Sequence, residues 1–134
     1  MVISLYRALA CSRWAELRNS ITFHGDLAFR LQAESEFRLL NGADPILIGH
    51  HSSAPDALDT LKARLADGPR GKTPLCRHVR QVVADIRKRE QQLRNNHQRA
   101  VVVISTDGEA SDGLLAEAMA PLQVMGEGGH VKCN

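Results

Sequence analysis

Aromatic residues are scarce in this chain of 134 residues, where Phe, Trp and Tyr together make up 4%. The hydrophobic share is nevertheless 43%, so a core can form, and it must consist mostly of Leu, Val, Ile and Ala. The formal net charge of +2 is too small to indicate nucleic-acid binding by itself. A chain of this length is expected to form one domain at most.

Long apolar runs and cysteine motifs are also missing from the sequence. No run approaches the ~18 apolar residues of a membrane-spanning helix, so we expect no membrane partner. Cys11, Cys76 and Cys133 lie far apart and lack the spacing of a metal-binding motif. Such an odd, scattered set predicts free thiols in a reducing compartment, and we therefore expect a cytoplasmic protein.

The first half of the chain predicts a helix followed by a hairpin. Residues 5–31 are compatible with a helix, with an apolar stripe that includes Ile21, Ala28 and Leu31. Residues 36–40 and 45–48 are strand candidates. Asn41-Gly42 between them is a strong hairpin signal, so we expect these strands to pair in antiparallel fashion.

The second half predicts two helices, a buried strand and a final helix. Ser53 is a candidate N-cap for the first of these helices, and Thr73 for the second, long one. Residues 100–104 form a short apolar run that is typical of a buried parallel strand. A last helix is expected at 113–122, and a glycine-rich tail at 123–134. The long helix should bury five apolar residues: Leu75, Val79, Val82, Val83 and Ile86.

The alternation of helices and strands indicates an α/β sheet with helices on its faces. In open sheets of this class, ligands bind beyond the carboxyl ends of the strands. Asp107, in Thr106-Asp107-Gly108 just after the strand at 100–104, is therefore the first functional candidate. The alternative is that Asp107 and Gly108 only form a turn, since Asp-Gly is a common turn pair.

Two other patterns in this region are interpreted as non-functional. Gly71-Lys72-Thr73 does not complete a phosphate-binding loop, because Ala66 stands where that motif needs its first glycine. The basic residues of the long helix have no aromatic residues among them, and we interpret them as a solvated face rather than a nucleic-acid surface.

Two segments and their order resemble the von Willebrand factor A domain. Gly71-Lys72-Thr73-Pro74-Leu75 is similar to the family's loop with Thr before Pro-Leu, and residues 102–108 are similar to its later strand with an Asp-Gly loop. The resemblance spans roughly residues 12–122. It implies a partial, doubly wound, Rossmann-like three-layer α/β sheet, with residues 1–122 as the domain.

The resemblance also implies a metal-ion-dependent adhesion site, which the family assembles from three loops at one end of the sheet. Thr73 would supply the ligand of the second loop and Asp107 that of the third. Hard oxygen donors of this kind suit Mg²⁺, which keeps several waters and needs few carboxylates. An acidic residue of a protein partner would then fill the open position on the ion.

The chain departs from the family at the first loop, Asp-x-Ser-x-Ser, which should follow the first strand. Residues 1–6 contain no aspartate and no paired serines. We therefore expect that the first strand and the C-terminal strands are lacking, that the chain is a truncated domain of marginal stability, and that Mg²⁺ binds weakly or not at all.

Three functions remain open. The first is a non-enzymatic interaction module of the von Willebrand A type. The second is a metal-dependent phosphoryl-transfer enzyme that uses Asp107, although Ser105 stands where haloacid dehalogenase phosphatases have a second aspartate. The third is a partial domain without activity of its own. We favour the interaction module over the enzyme.

A few further residues have side chains that can bind metals, react as nucleophiles or carry charge. His50-His51 could bind a metal, but no third ligand lies at a set spacing, so we expect a surface loop. We expect Cys76 to be a buried thiol rather than a nucleophile, and His78 to be a surface or cap residue. Asp112 either enriches the loop of Asp107 in negative charge or favours the start of the following helix.

Overall fold

Four strands and four helices alternate along the chain. The structure, a computed structural model, describes residues 2–6, 11–40, 44–68, 71–106 and 109–123. The fold is mixed α/β, which confirms the predicted class. The elements are β1 (Val2–Tyr6), α1 (Cys11–Leu31), β2 (Ser35–Leu39), β3 (Ile46–Ile48), α2 (Ala57–Ala66), α3 (Leu75–Asn95), β4 (Val101–Ser105) and α4 (Leu115–Gln123).

The four strands form one sheet in the order β3-β2-β1-β4. β1 runs parallel to both β2 and β4, with Val2 opposite Ser35 on one side and Val101 on the other. β2 and β3 are antiparallel, with Phe37 opposite Ile46. This confirms the predicted antiparallel pairing, while the Asn41-Gly42 turn lies outside the described residues.

The prediction that the first strand is lacking is wrong. Residues Val2–Tyr6 form β1, which occupies a central place in the sheet, and α1 begins only at Cys11. Four of the five residues of β1 are apolar or aromatic residues that occur often in strands. Such a short run does not separate strand from helix by its period. Pairing with neighbours on both edges, which only the assembled sheet provides, stabilises it as a strand.

Helices cover both faces of the sheet, as expected for a three-layer arrangement. On one face, Phe37 of β2 and Ile48 of β3 pack with buried residues of α1 and α2, such as Ile21 and Leu61. On the other face, α3 and α4 pack over β4, where Ile104 is buried. Because successive strand residues point to opposite faces, the sheet separates two cores.

The predicted buried face of α3 is confirmed, whereas that of α1 is only partly correct. All five apolar residues expected to be buried in α3 are buried. In α1, Ile21 and Ala28 are buried but Leu27 and Leu31 are exposed. The helix packs through the side that carries Gly25, where an added Cβ would lie 2.9 Å from Leu61. Leu27 and Leu31 therefore lie outside the packed side of α1.

The predicted helix caps are wrong for both α2 and α3. Asp56 occupies the N-cap position of α2, and the Ser53 hydroxyl instead accepts a hydrogen bond of 2.9 Å from the backbone N–H of His50. Pro74 occupies the N-cap position of α3. Proline has no side-chain oxygen with which to cap, so the first turn of α3 must find its acceptors elsewhere.

Among the described residues, no helix combines the length and the hydropathy that a membrane span requires.

Candidate functional site

The strand order places a topological switch point between β1 and β4. The chain adds β2 on one side of β1 and later adds β4 on the other. α1 packs on one face of the sheet and α3 on the opposite face. In open α/β sheets the crevice outside the carboxyl ends of such strands is the usual ligand site. The loops that meet there are therefore the candidate site.

Thr73 lies in the loop before α3 and contacts the loop that follows β4. Thr73 is 2% exposed. Its backbone oxygen accepts hydrogen bonds from the backbone N–H groups of Leu75 (2.8 Å) and Ser111 (2.9 Å). The two loops that the resemblance predicts to be neighbours are thus in contact. Asp107 lies outside the described residues, so its distance from Thr73 stays a prediction.

Asp112 caps α3 from across this loop. Its two carboxylate oxygens accept hydrogen bonds from the backbone N–H groups of Cys76 (2.9 Å) and Arg77 (2.7 Å). Burial opposes the ionisation of Asp112, but the bonds from Arg77 and Cys76 outweigh it and lower the pKa of the carboxyl. Both oxygens of Asp112 therefore bind the first turn of α3, a role that the sequence did not predict.

Cys76, in the first turn of α3, is a buried free thiol, as predicted. Burial raises the pKa of this thiol, and the neighbouring Asp112 carboxylate raises it further. A nucleophilic cysteine needs a lowered pKa and access to its substrate. Cys76 therefore serves packing.

The expectation that His78 is a surface or cap residue is wrong, because the residue lies buried inside α3. The residue is 6% exposed, and neither ring nitrogen has a hydrogen-bond partner among the described residues. Burial lowers the pKa of His78, and the positive charges of Arg77 and Arg38 lower it further. The imidazole is therefore neutral at physiological pH. In sequence His78 looks like part of the polar side of α3, and only the packing of α3 on the sheet buries it.

Arg38 is a buried charge that the sequence did not single out. It lies in the middle of β2, and its guanidinium donates to Gln81 (3.1 Å) and Asp85 (3.0 Å) of α3. It also pairs with Glu36, two residues before it on the same face of the strand. These contacts add a polar network to the apolar packing between the sheet and α3.

A second group of side chains lies at the amino end of β2, at the opposite end of the sheet from the loop of Thr73. Glu34, His50 and His51 offer ligand atoms that all lie within 4.8 Å of one another. Glu34 directly precedes β2, and His50 is the second residue after β3. Antiparallel pairing of the two strands therefore brings Glu34 and His50 together. The third ligand that His50-His51 lacks in sequence is thus supplied from 16 residues upstream. Extending the hairpin register by one pair would have placed Glu34 beside Gly49.

In comparisons with known proteins, neither a family model nor a curated protein matches the chain.

Proposed function

We propose that this chain is a non-enzymatic protein-interaction module of the von Willebrand A type, which acts in the cytoplasm. Its binding surface would lie at the carboxyl end of the sheet, between β1 and β4. The partner would present an acidic residue there, next to the loops of Thr73 and Asp107. The divalent-metal site of this surface would be degenerate.

The contact between Thr73 and Ser111 is the observation that carries this proposal. Sequence similarity alone predicted that the loop before α3 and the loop after β4 lie side by side, and their backbones are joined by a hydrogen bond of 2.9 Å. The strand order of the sheet gives further support. The resemblance calls for a central first strand between the hairpin and the later strand, and β1 holds that place.

The donor chemistry at this end does not make a complete Mg²⁺ site. The four residues between β1 and α1 are Arg7-Ala8-Leu9-Ala10, which carry no side-chain oxygen. Asp112, a described carboxylate of the loop after β4, has both oxygens bonded to the first turn of α3. Mg²⁺ prefers oxygen ligands in octahedral geometry. We therefore expect affinity on the order of millimolar or weaker, given the dependence on carboxylate number.

The metal part of this proposal can be tested by NMR. We expect Mg²⁺ to shift the amide signals of residues 73–77 and 105–112, with a weak dissociation constant. Asp107→Ala should abolish the shifts, whereas Glu117→Gln, at an exposed carboxylate of α4, should retain them. Shifts that persist in Asp107→Ala would contradict the assignment of Asp107 as a ligand.

The interaction itself requires a separate test. A display library of peptides that contain Asp or Glu would be selected on the immobilised chain in the presence of Mg²⁺. We expect the selected peptides to lose binding to Asp107→Ala while they bind Glu117→Gln normally. Peptides that bind all three proteins equally, or that shift signals away from the carboxyl end of the sheet, would show that the surface lies elsewhere.

A further inference from the structure

We propose that Glu34, His50 and His51 form a binding site for a divalent transition-metal ion of the Zn²⁺ type. This site is not the adhesion site implied by the resemblance, because it lies at the amino end of β2, whereas Thr73 lies by the loop that follows the carboxyl end of β4. The two sites also differ in ligand chemistry, which allows them to be tested separately.

The spacing of the ligand atoms suits a small ion. Ligands held about 2.0–2.2 Å from a tetrahedral Zn²⁺ lie about 3.3–3.6 Å from one another. His50 Nε2 and Glu34 Oε1 are 3.5 Å apart. The rings of His50 and His51 stack with centroids 4.1 Å apart, so the second imidazole lies next to the first. With all three ligand atoms within 4.8 Å, small side-chain rotations would close the site.

The backbone around Gly49 sets the position of the two histidines. Gly49 has a φ of +71°, and a Cβ added there would lie 2.4 Å from the carbonyl oxygen of Ala33 and 2.8 Å from that of Ala28. Only glycine allows this close approach. The turn that carries His50 is therefore held against the segment that carries Glu34, and the ligands meet without a long, flexible connection.

Arg89 of α3 orients the carboxylate. Its Nη2 atom donates a hydrogen bond of 2.9 Å to Glu34 Oε2, which leaves Oε1 on the side of His50. Carboxylates that bind metals are commonly held by such an outer hydrogen bond.

Ser52 provides a partner for the second nitrogen of His50. The Ser52 hydroxyl lies 2.5 Å from His50 Nδ1, and a hydroxyl can either donate to or accept from that atom. When a metal occupies Nε2, the ring proton moves to Nδ1, where the Ser52 oxygen accepts it. The backbone N–H of Ser52 also donates to Nδ1, at 3.0 Å, and this bond favours the tautomer with its proton on Nε2. Metal binding at Nε2 moves the proton to Nδ1 and must therefore weaken the bond from the Ser52 N–H.

The ligand set selects the class of ion. Two imidazoles and one carboxylate suit Zn²⁺, Cu²⁺, Ni²⁺ and Co²⁺, whereas Mg²⁺ prefers oxygen ligands alone. Three protein ligands leave one position of a tetrahedral ion open. Glu34 and His50 also line a cleft of ≈ 250 Å³, together with residues that include Lys88 and Arg89. A water or a small anion in this cleft could take the open position.

Calorimetry and competition with a chelator test the proposal. We expect the full chain to bind one equivalent of Zn²⁺, with Mg²⁺ in excess failing to displace it. Glu34→Gln, His50→Gln and His51→Gln should each weaken binding by at least about tenfold, because loss of even an outer-shell partner costs that much. Zn²⁺ should also raise the Tm of the wild-type chain but not of the triple variant.

Matched controls separate this site from other donors. His24→Gln changes an exposed histidine of α1 and should bind Zn²⁺ like the wild type. His130 and Cys133 are two further donor residues near each other in sequence, so His130→Gln with Cys133→Ser tests whether the C-terminal residues contribute. Asp107→Ala should leave Zn²⁺ binding unchanged.

Either of two results would overturn the proposal. The first is the lack of saturable Zn²⁺ binding by a chain that circular dichroism shows to be folded. The second is Zn²⁺ binding that survives all three substitutions but disappears in the His130 and Cys133 double variant. Because the three ligands lie at or near the surface, their substitution should not prevent folding, and the thermal unfolding curve of each variant checks this.

Discussion

His78 shows how the environment of one side chain can oppose its chemistry. Imidazole is normally half protonated near pH 6.5, yet this ring is almost fully buried and has no described hydrogen-bond partner. Protonation in the folded state would place a charge beside Arg77 and Arg38 in a poorly solvated position. The unfolded chain has no such restriction. The two states therefore bind protons differently, and stability must depend on pH.

The sign of this dependence follows from the lowered pKa of His78. Below pH 6.5 the unfolded chain takes up a proton on His78 that the folded chain does not, so the free energy of unfolding falls as the pH falls. The slope from one such group is at most about 1.4 kcal/mol per pH unit. Between pH 7 and about pH 5, we expect the free energy of unfolding of His78→Leu to change less with pH than that of the wild type. Urea unfolding at several pH values measures this.

The control for this experiment is His24→Gln, which should keep the wild-type slope because His24 is exposed. Glu34 and Asp112 have lowered pKa values and also lose stabilising interactions in acid, but they do so below their ordinary values of 4.5 and 3.8. Their effects therefore fall outside this window. Equal slopes in the wild type and His78→Leu would show that His78 is protonated in the folded protein.

Asp112 supports a second prediction about a single side chain. Asp112→Ala removes both acceptors from the first turn of α3, and we expect a loss of about 1–2 kcal/mol in the free energy of unfolding, as for other N-caps. Asp112→Asn keeps one acceptor but loses the charge that favours a helix N-terminus, so it should lose less. Chemical denaturation measures both.

Glu109→Gln provides the matched control, because Glu109 is an exposed acid of the same loop. The free energy of unfolding of Glu109→Gln should be within about 0.5 kcal/mol of the wild-type value, as for most surface substitutions. If Asp112→Ala were as stable as Glu109→Gln, the hydrogen bonds from Cys76 and Arg77 would contribute nothing measurable to α3.

A buried charge connects β2 to α3. Arg38 binds Glu36 on its own strand and Gln81 and Asp85 on the helix. Removing one member of a buried ionic group leaves its partner without compensation, which costs more than the whole group contributes. The arrangement therefore predicts a strong non-additivity between Arg38 and Glu36.

We expect Arg38→Met to destabilise the protein by about 3 kcal/mol, because the largely buried Glu36 carboxylate is left without its cation. Adding Glu36→Leu to that variant should recover most of the loss. Arg94→Gln is the control, since its pair with Glu90 is exposed and should contribute less than about 1 kcal/mol. Urea denaturation of the complete double-mutant cycle provides the measurement. Additive losses would show that the two side chains are not coupled.

The helices and strands themselves were predictable to different degrees. The five buried positions of α3 follow from spacings of three and four over a long segment, where the helical period is unambiguous. β4 was predicted from its continuous apolar run. β1 was not, because five residues do not define a period and its neighbours in the sheet are distant in sequence. The Ser53 and Thr73 caps failed because capping depends on the exact residue at which a helix begins.

Across the molecule as a whole, β4 leaves one apolar face exposed. It is the last strand of the sheet among the described residues, and Val101 and Val103 are 48% and 38% exposed. The expected marginal stability rested on a missing central strand, and that reason no longer holds because β1 occupies the place. Exposed valines on a terminal strand instead favour association with other chains.

We expect the double variant Val101→Thr with Val103→Thr to aggregate less than the wild type on heating, as measured by light scattering. Threonine keeps the β-branched shape that suits a strand while it adds a polar group. Val102→Thr is the control, because Val102 points to the opposite face and packs against the core under α3 and α4. That substitution should lower the Tm. Unchanged aggregation in the double variant would show that β4 is not the contact surface.

The α/β class, the hairpin pairing and the buried face of α3 follow from the sequence, because turn signals and apolar periodicity are local patterns. The features that join distant segments depend on how the whole chain packs. These are the central place of β1, the capping of α3 by Asp112, the burial of His78, and the meeting of Glu34 with His50 and His51. Each depends on which strands pair and which helices pack. The free energy of that packing comes from contacts along the whole chain, so no local run of residues predicts it.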